Sequence, residues 1–337
     1  MSDVGWRFIE AAESGSWRGF VFAFLLTLGI GVVAIMMLIV VADPYDSGRF
    51  GVEWHVGIVD ESPRTADVSR GRDASFNAAV IGDSRGQLLD PKRLSAGTGW
   101  NFVQLSVPGS RPQEQLTILR WFLQHHGGKG AVVLTTDDAW CTEDPALPLL
   151  EPFPFWLYGS DLDYVVHVLR GEALDRSWRR IMLAAGRRTA SDPAGYWDYE
   201  LGRVWHFAPP EPPAPAELAS LTPRAPQRTF PAIKQLEAML ANSNGEVALV
   251  MIFPPAFAGA LPLRESAEAE TTAQCKGAFA ALAQRYGAFL DFLVDGDVAR
   301  DPMNFMDQTH YRAGVARRLE DAITAAFAAQ RQKQSAH

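Results

Sequence analysis

A run of 23 residues without a charge, Phe20 to Ala42 (FVFAFLLTLGIGVVAIMMLIVVA), constrains this chain more than any other feature. About 20 consecutive apolar residues cross the hydrocarbon core of a bilayer as one helix. A signal peptide has an apolar region of roughly 7–15 residues. Length therefore favours a retained helix, although Val40-x-Ala42 also resembles a cleavage site. Arg7 and Arg18 precede the run and Arg49 follows it, so the positive-inside rule leans towards a cytoplasmic N-terminus. The expected division is a cytoplasmic tail over 1–19, a transmembrane helix over 20–42 and a globular part over 43–337 on the far side. In a bacterial cell that means an inner-membrane anchor with the globular domain in the periplasm or outside. Pro44 prevents easy continuation of the helix.

Beyond the anchor, short apolar runs alternate with helical periodicity. Residues 46–76 are polar and read as irregular chain along the domain edge. Ala78-Ala79-Val80-Ile81 reads as a buried strand stopped by Gly82. Asp90-Pro91 reads as a helix N-cap followed by proline at the first helical position. A strand over Asn101–Val107, a helix over Gln113–His126 and a strand over Ala131–Thr135 follow. The pattern resumes with a helix over Ile233–Leu240, a strand over Val247–Phe253, a helix over Glu265–Tyr286, a strand over Ala288–Phe292 and a terminal helix over Ala313–Ala328. This order predicts an α/β domain with a parallel sheet and helices on its faces.

Residues 139–230 interrupt the pattern and read as an insertion over the sheet's carboxyl edge. Leu162 to Arg188 predicts two short helices, and 209–231, with eight prolines, predicts extended chain. The aromatics of this stretch could stack on sugar rings; forming the small core of the insertion is the commoner reason for them.

The net charge is −8 and no Lys/Arg-rich run occurs, so a nucleic-acid partner is not expected. The seven histidines show no metal-ligand spacing, and no metal or organic cofactor is implied. His125-His126 before Gly127-Gly128 reads as cationic side chains at a helix C-terminus. Cys141 and Cys275 form no C-x-x-C pair, which argues against zinc. Outside the cytoplasm they could be bridged, and two buried free thiols fit the sequence equally.

Ser84 falls just past the carboxyl end of the first strand, where open α/β sheets bind ligands. A serine nucleophile needs a base and an orienter. Asp307-Gln308-Thr309-His310 supplies both, with carboxylate and imidazole three residues apart and on one side of a turn. The backbone N–H groups of Ser84 and Gly109 are candidate donors for an oxyanion. Asp83 reads as a partner of its own turn.

These blocks resemble the SGNH (GDSL-type) hydrolase superfamily, especially its membrane-anchored members associated with cell-surface polysaccharides. Gly82-Asp83-Ser84 resembles the nucleophile block, Gly109 the glycine block, Thr135-Thr136-Asp137-Asp138 the G-x-N-D block and Asp307–His310 the D-x-x-H block. The resemblance covers about 74–138 and 245–325 and implies a three-layer, flavodoxin-like sheet. It implies a catalytic Ser84, His310 and Asp307, with Ser84, Gly109 and the third block at the oxyanion. It also implies acyl (acetyl) transfer or hydrolysis on an exported polysaccharide, with a membrane acyl-donor protein as partner. The departure is Asp137, where the family has asparagine, because an ionised carboxylate cannot donate to an oxyanion. Two like charges ~4 Å apart repel by ~4 kcal/mol at an effective dielectric near 20. Arg85 is placed to neutralise Asp137 or to hold an anionic substrate. Loss of the asparagine also fits a second reading, a non-catalytic assembly or binding subunit of a polysaccharide export system.

Overall fold

The computed structural model describes residues 17–50, 54, 56–59, 62–147, 152–209, 229–243 and 246–335. Residues 1–16 of the expected 1–19 tail and most of the Pro-rich stretch lie outside them, and residues 17–19 belong to the first helix. In chain order the elements are helix α1 (Trp17–Ala42), α2 (Pro63–Arg72), strand β1 (Ala78–Ile81), α3 (Pro91–Thr98), β2 (Phe102–Gln104), α4 (Pro112–His125) and β3 (Gly130–Thr135). Then come α5 (Ala139–Thr142), α6 (Asp161–Val168), α7 (Gly171–Ala184), α8 (Pro231–Ala241), β4 (Val247–Phe253), α9 (Ala267–Tyr286), β5 (Gly287–Asp291), α10 (Asp297–Arg300) and α11 (Ala313–Ser335). Helix α1 is, among the described residues, the one helix long and apolar enough to cross a membrane.

The five strands form one sheet in the order β2-β1-β3-β4-β5, and every pairing is parallel. Successive side chains of a strand point to opposite faces, and here both faces are buried. Ala79, Ile81, Val132, Leu134 and Met251 pack with Phe122 of α4, Leu236 of α8 and Phe279 of α9. Ala78, Val80, Val133, Val250 and Ile252 pack with Leu94 of α3 and Leu319 and Phe327 of α11. Burial on both faces explains why these strands read as continuous apolar runs rather than alternating ones. The β2 edge is covered rather than open: Gln104 N donates to Ala194 O at 2.8 Å.

Residues 46–76 are not irregular throughout, because α2 lies within them. Its buried residues include Asp67, Ser69 and Arg70, so apolar periodicity carries no trace of it. Polar contacts hold it instead. Ser69 Oγ donates to Asp46 at 2.6 Å, Arg64 pairs with Glu114 at 3.0 Å and Trp121 Nε1 donates to Val68 O at 3.0 Å. The insertion divides its contacts: α6 and α7 pack at the end of α1, and residues 197–205 reach the sheet's carboxyl edge.

His125 ends α4 and His126 caps it, the helix-end positions read from the sequence. Burial lowers the pKa of both imidazoles and so works against a cationic role there, opposed by backbone hydrogen bonds to Trp121 O at 2.9 Å and Gly71 O at 3.1 Å. Cys141 of α5 and Cys275 of α9 are joined by a disulfide, with Cα atoms 5.5 Å apart. The bridge closes a loop across 134 positions of sequence, and removing a bridge of this kind lowers stability by about 2–5 kcal/mol. Urea denaturation of the Cys141→Ser/Cys275→Ser chain should show a lowered midpoint of that order; an unchanged midpoint would mean the two thiols contribute as packing alone.

Candidate active site

Strand β1 stops at Gly82 because the next turn needs a close approach. A Cβ on Gly82 would lie 1.7 Å from Thr135 Oγ1 and 2.9 Å from its carbonyl oxygen. The Gly82 carbonyl accepts from Val107 N and from Ser110 Oγ, each at 2.9 Å, which ties the turn to the chain after β2. Residues 84–86 then form one 3-10 turn, capped by Asp83, whose carboxylate accepts from Arg85 N at 2.9 Å. Asp83 thus serves its own turn, as its position after the strand suggested.

Three residues named from the sequence meet at this turn. Ser84 Oγ lies 2.7 Å from His310 Nε2, and His310 Nδ1 lies 2.7 Å from Asp307 Oδ2. Asp307 Oδ1 accepts from the backbone N–H groups of Thr309 and His310, both at 2.8 Å. Partial burial alone would raise the Asp307 pKa. The two N–H donors and the adjacent imidazole outweigh it and hold the carboxyl below its ordinary value. An ionised Asp307 selects the tautomer with hydrogen on Nδ1, leaving Nε2 free to accept from Ser84.

The loop carrying His310 is held firmly. Phe305 and Tyr311 pair across it, Met306 N donates to His310 O at 2.8 Å, and the buried Tyr311 hydroxyl donates to Arg85 O. Ser84, Asp307 and His310 open onto a cleft of about 270 Å³ whose other wall is Trp197, Tyr199 and Trp205. Glu200 attaches that wall to α11 by accepting from Arg312 Nε at 2.6 Å and Ala313 N at 2.7 Å. The sequence places the insertion over the carboxyl edge where Ser84 lies, without saying which of its aromatics reach Ser84. Their placement rests on a contact across 113 positions that no local pattern encodes.

Gly109 and Asp137 line, with Asp83, a cavity of about 540 Å³ that adjoins this cleft, since Asp83 and Gly109 are the chain neighbours of Ser84 and Pro108 in the cleft wall. Gly109 has a left-handed φ of +67°, and the backbone N–H groups of Ser84 and Gly109 are taken up by no other described residue. Asp137 is tied to Arg85, with Nη2 to Oδ2 at 2.7 Å, while its buried Oδ1 has no hydrogen-bond partner among the described residues. Arg85 also pairs with Asp83 at 2.8 Å. Its side chain is 12% exposed, so of the two roles read for it the geometry has neutralisation of Asp137 rather than a free hand for an anion. Burial opposes the charge on Arg85, and Asp83 and Asp137 more than offset it, raising its pKa.

Asp137 is pushed up to about 7: burial is the main cause, Asp83 and Asp138 add to it, and Arg85 pulls against it. A comparison with protein-family models found no match, and neither did one with curated proteins.

A carboxyl whose pKa rises on folding stabilises the fold while protonated and loses that contribution as pH climbs through its folded value. Stability should therefore fall between about pH 4, the unfolded value, and the folded value of about 7. Asp137→Asn should flatten that part of the profile in thermal denaturation at stepped pH. Parallel profiles for the two chains would show that Asp137 is ionised throughout.

Proposed function

We propose that this chain is a membrane-anchored, extracytoplasmic serine acyltransferase or esterase of the SGNH type, acting on O-acyl groups of an exported polysaccharide. The observation that carries the reading is the hydrogen-bonded relay from Ser84 through His310 to Asp307. The strand order 2-1-3-4-5 is that of flavodoxin-like doubly wound sheets and agrees with it. The chemistry follows from the relay. His310 Nε2 takes the proton of Ser84 as Oγ attacks the acyl carbonyl, and Asp307 stabilises the imidazolium that forms. The same proton passes to the departing alkoxide as the acyl–oxygen bond breaks, leaving an ester on Ser84. An acceptor hydroxyl, deprotonated by His310, then attacks that ester; the Oγ–acyl bond breaks and His310 returns the proton to Ser84 Oγ, and with water as the acceptor the outcome is hydrolysis.

Ser84 N and Gly109 N are the donors assigned to the oxyanion. Asp137 joins them only when protonated. Trp197, Tyr199 and Trp205 line the cleft. Flat aromatic side chains suit a sugar ring, which supports a glycan acceptor. The Cys141–Cys275 bridge suits an oxidising compartment and supports a globular domain beyond the cytoplasm. A single domain over 43–337 with the 139–230 insertion is the organisation this reading takes, and a membrane acyl-donor protein is its natural partner.

One observation favours the non-catalytic reading, an assembly or binding subunit. The third block contributes a buried carboxylate fastened to Arg85 where an oxyanion site wants a neutral donor.

A serine-directed phosphonate and an activated acetyl ester separate the two. The whole chain should be used, since Ile39 and Asp43 are buried inside the domain. Intact-mass measurement should show one adduct, on the Ser84 peptide, absent in Ser84→Ala and reduced at least 10²-fold in rate in His310→Ala. Polysaccharide modification that persists in full with Ser84→Ala would sink both enzymatic readings. On the proposed role of Asp137, Asp137→Asn should gain acylation rate above pH 7 relative to the native chain; a loss at every pH would assign the carboxylate a role of its own.

A further inference from the structure

The end of α1 is built into the globular domain rather than joined to it by a free linker. Ile39 packs in one cluster with Tyr164 and Val168 of α6 and Ala173 of α7. The fully buried Arg180 of α7 donates to the carbonyl oxygens of Ala42 and Asp43 and pairs with Asp46. Asp43 and Asp46 both have left-handed backbone, at φ +41° and +49°. The Asp43 carboxylate closes the corner by accepting from Ser47 Oγ at 2.9 Å and Gly48 N at 2.8 Å.

This clamp fixes where α6 and α7 lie relative to any bilayer that α1 crosses. A helix of 26 residues rises ~39 Å. That is close to the ~40–45 Å of a bilayer with its headgroups. Ala42 therefore sits at headgroup level, and the helices touching it sit there too, one helix diameter of ~10 Å away.

Those two helices carry apolar side chains facing away from the domain. On α6, Leu162 and Val166 are 74% and 63% exposed, at the i, i+4 spacing of one helix face and opposite the buried Tyr164 and Val168. Leu169 continues the stripe. On α7, Leu174 and Trp178 repeat the spacing, with Trp178 59% exposed. Of the twelve large apolar residues exposed outside α1 among the described residues, these five share this one location. The charge of the region also departs from the rest of the chain. Residues 161–188 hold six arginines and four carboxylates, in a protein of net charge −8. Three of the four carboxylates are paired with arginine: Asp161 with Arg49, Glu172 with Arg176 and Asp175 with Arg179.

We infer that α6 and α7 form a membrane-surface docking face, its exposed apolar stripe seated in the headgroup layer of the same bilayer that holds α1. Arg180 is buried in the clamp and Arg176 and Arg179 are paired, which leaves the exposed Arg170, Arg187 and Arg188 for lipid phosphates. A tryptophan at this depth, exposed apolar side chains beside it and arginines for phosphates are the features of an interfacial helix. The inference rests on α1 spanning the membrane. Its consequence is that the domain does not swing on its anchor: two points of attachment fix the height and tilt of the Ser84 cleft over the bilayer.

The test uses the whole chain in nanodiscs of phosphatidylcholine and phosphatidylglycerol. Both native cysteines are in the disulfide, so one introduced cysteine takes one spin label. Val166→Cys probes the face, Val33→Cys the anchor and Met303→Cys an exposed site elsewhere on the domain. Power saturation compares collision with oxygen, which concentrates in lipid, and with a water-soluble nickel chelate. Oxygen should win at positions 33 and 166, and the chelate at 303. If position 166 behaves like 303 while 33 stays in lipid, the anchor stands and the docking face is overturned. If 166 is shielded from both reagents, the face is covered by protein, a second copy or a membrane partner, and the proposal is equally overturned. A water-exposed position 33 would remove the anchor itself.

Discussion

The hydrogen bond between Ser84 and His310 joins positions 226 apart, and the sheet is what makes it possible. Ser84 follows β1, while His310 lies in the loop after β5, three strands away. At ~4.8 Å per strand that separation is roughly 14 Å. The loop must return over the ends of β4 and β3 before it reaches Ser84. Buried Phe305 and Met306 and the hydroxyl of Tyr311 hold it on that path. Because all five strands are parallel, both segments leave the sheet at the same edge. An antiparallel neighbour would have sent one of them to the opposite end.

The electrostatics of the turn are dominated by one cation. Arg85 stands among Asp83, Asp137 and Asp138, and it contacts the first two. A buried cation between two carboxylates fastens the turn at Ser84 to the loop after β3, so the backbone around Ser84 is held from both sides. One cation cannot fully neutralise the cluster, and burial therefore works against the charge on Asp137. The Ser84 side of the turn, by contrast, faces a cleft walled by aromatic groups. The same four residues after β1 thus separate a buried charge cluster from the face where a substrate would lie.

The anchor and the site are parts of one packed body. The cluster around Ile39 includes Trp121 of α4, and α4 packs against the sheet on the face that also holds Ile81. Movement of α1 relative to the sheet would disturb the buried pairs of Arg180 with Asp43 and Asp46. Breaking a buried pair of this kind costs about 3–5 kcal/mol. The insertion contributes at both ends of this body, with α6 and α7 at the end of α1 and residues 197–205 at the cleft.

Local chemistry determined much of this protein. Apolar runs specify the strands, since a strand buried on both faces needs only side chains that avoid water, and Val247–Phe253 is read from sequence to the residue. Proline and aspartate at Asp90-Pro91 specify the start of α3, and the spacing of Leu116, Leu119 and Leu123 specifies α4. The juxtaposition of Ser84 with Asp307 and His310 was legible because each follows a strand, and strands of a parallel sheet end together. Tertiary structure alone decided the rest. Helix α2 is stabilised by Asp46, Glu114 and Trp121, partners 23 to 53 positions distant, so its own residues read as polar coil. The histidines at the end of α4 have their pKa lowered by burial that no sequence pattern reports. Whether Cys141 and Cys275 meet depends on α5 packing against α9, and whether Arg85 touches Asp137 depends on the register of β1 against β3. Hydrophobic patterning acts over a few residues and survives in the sequence; pairing of polar groups acts over a few ångströms and exists only once distant segments have been brought together.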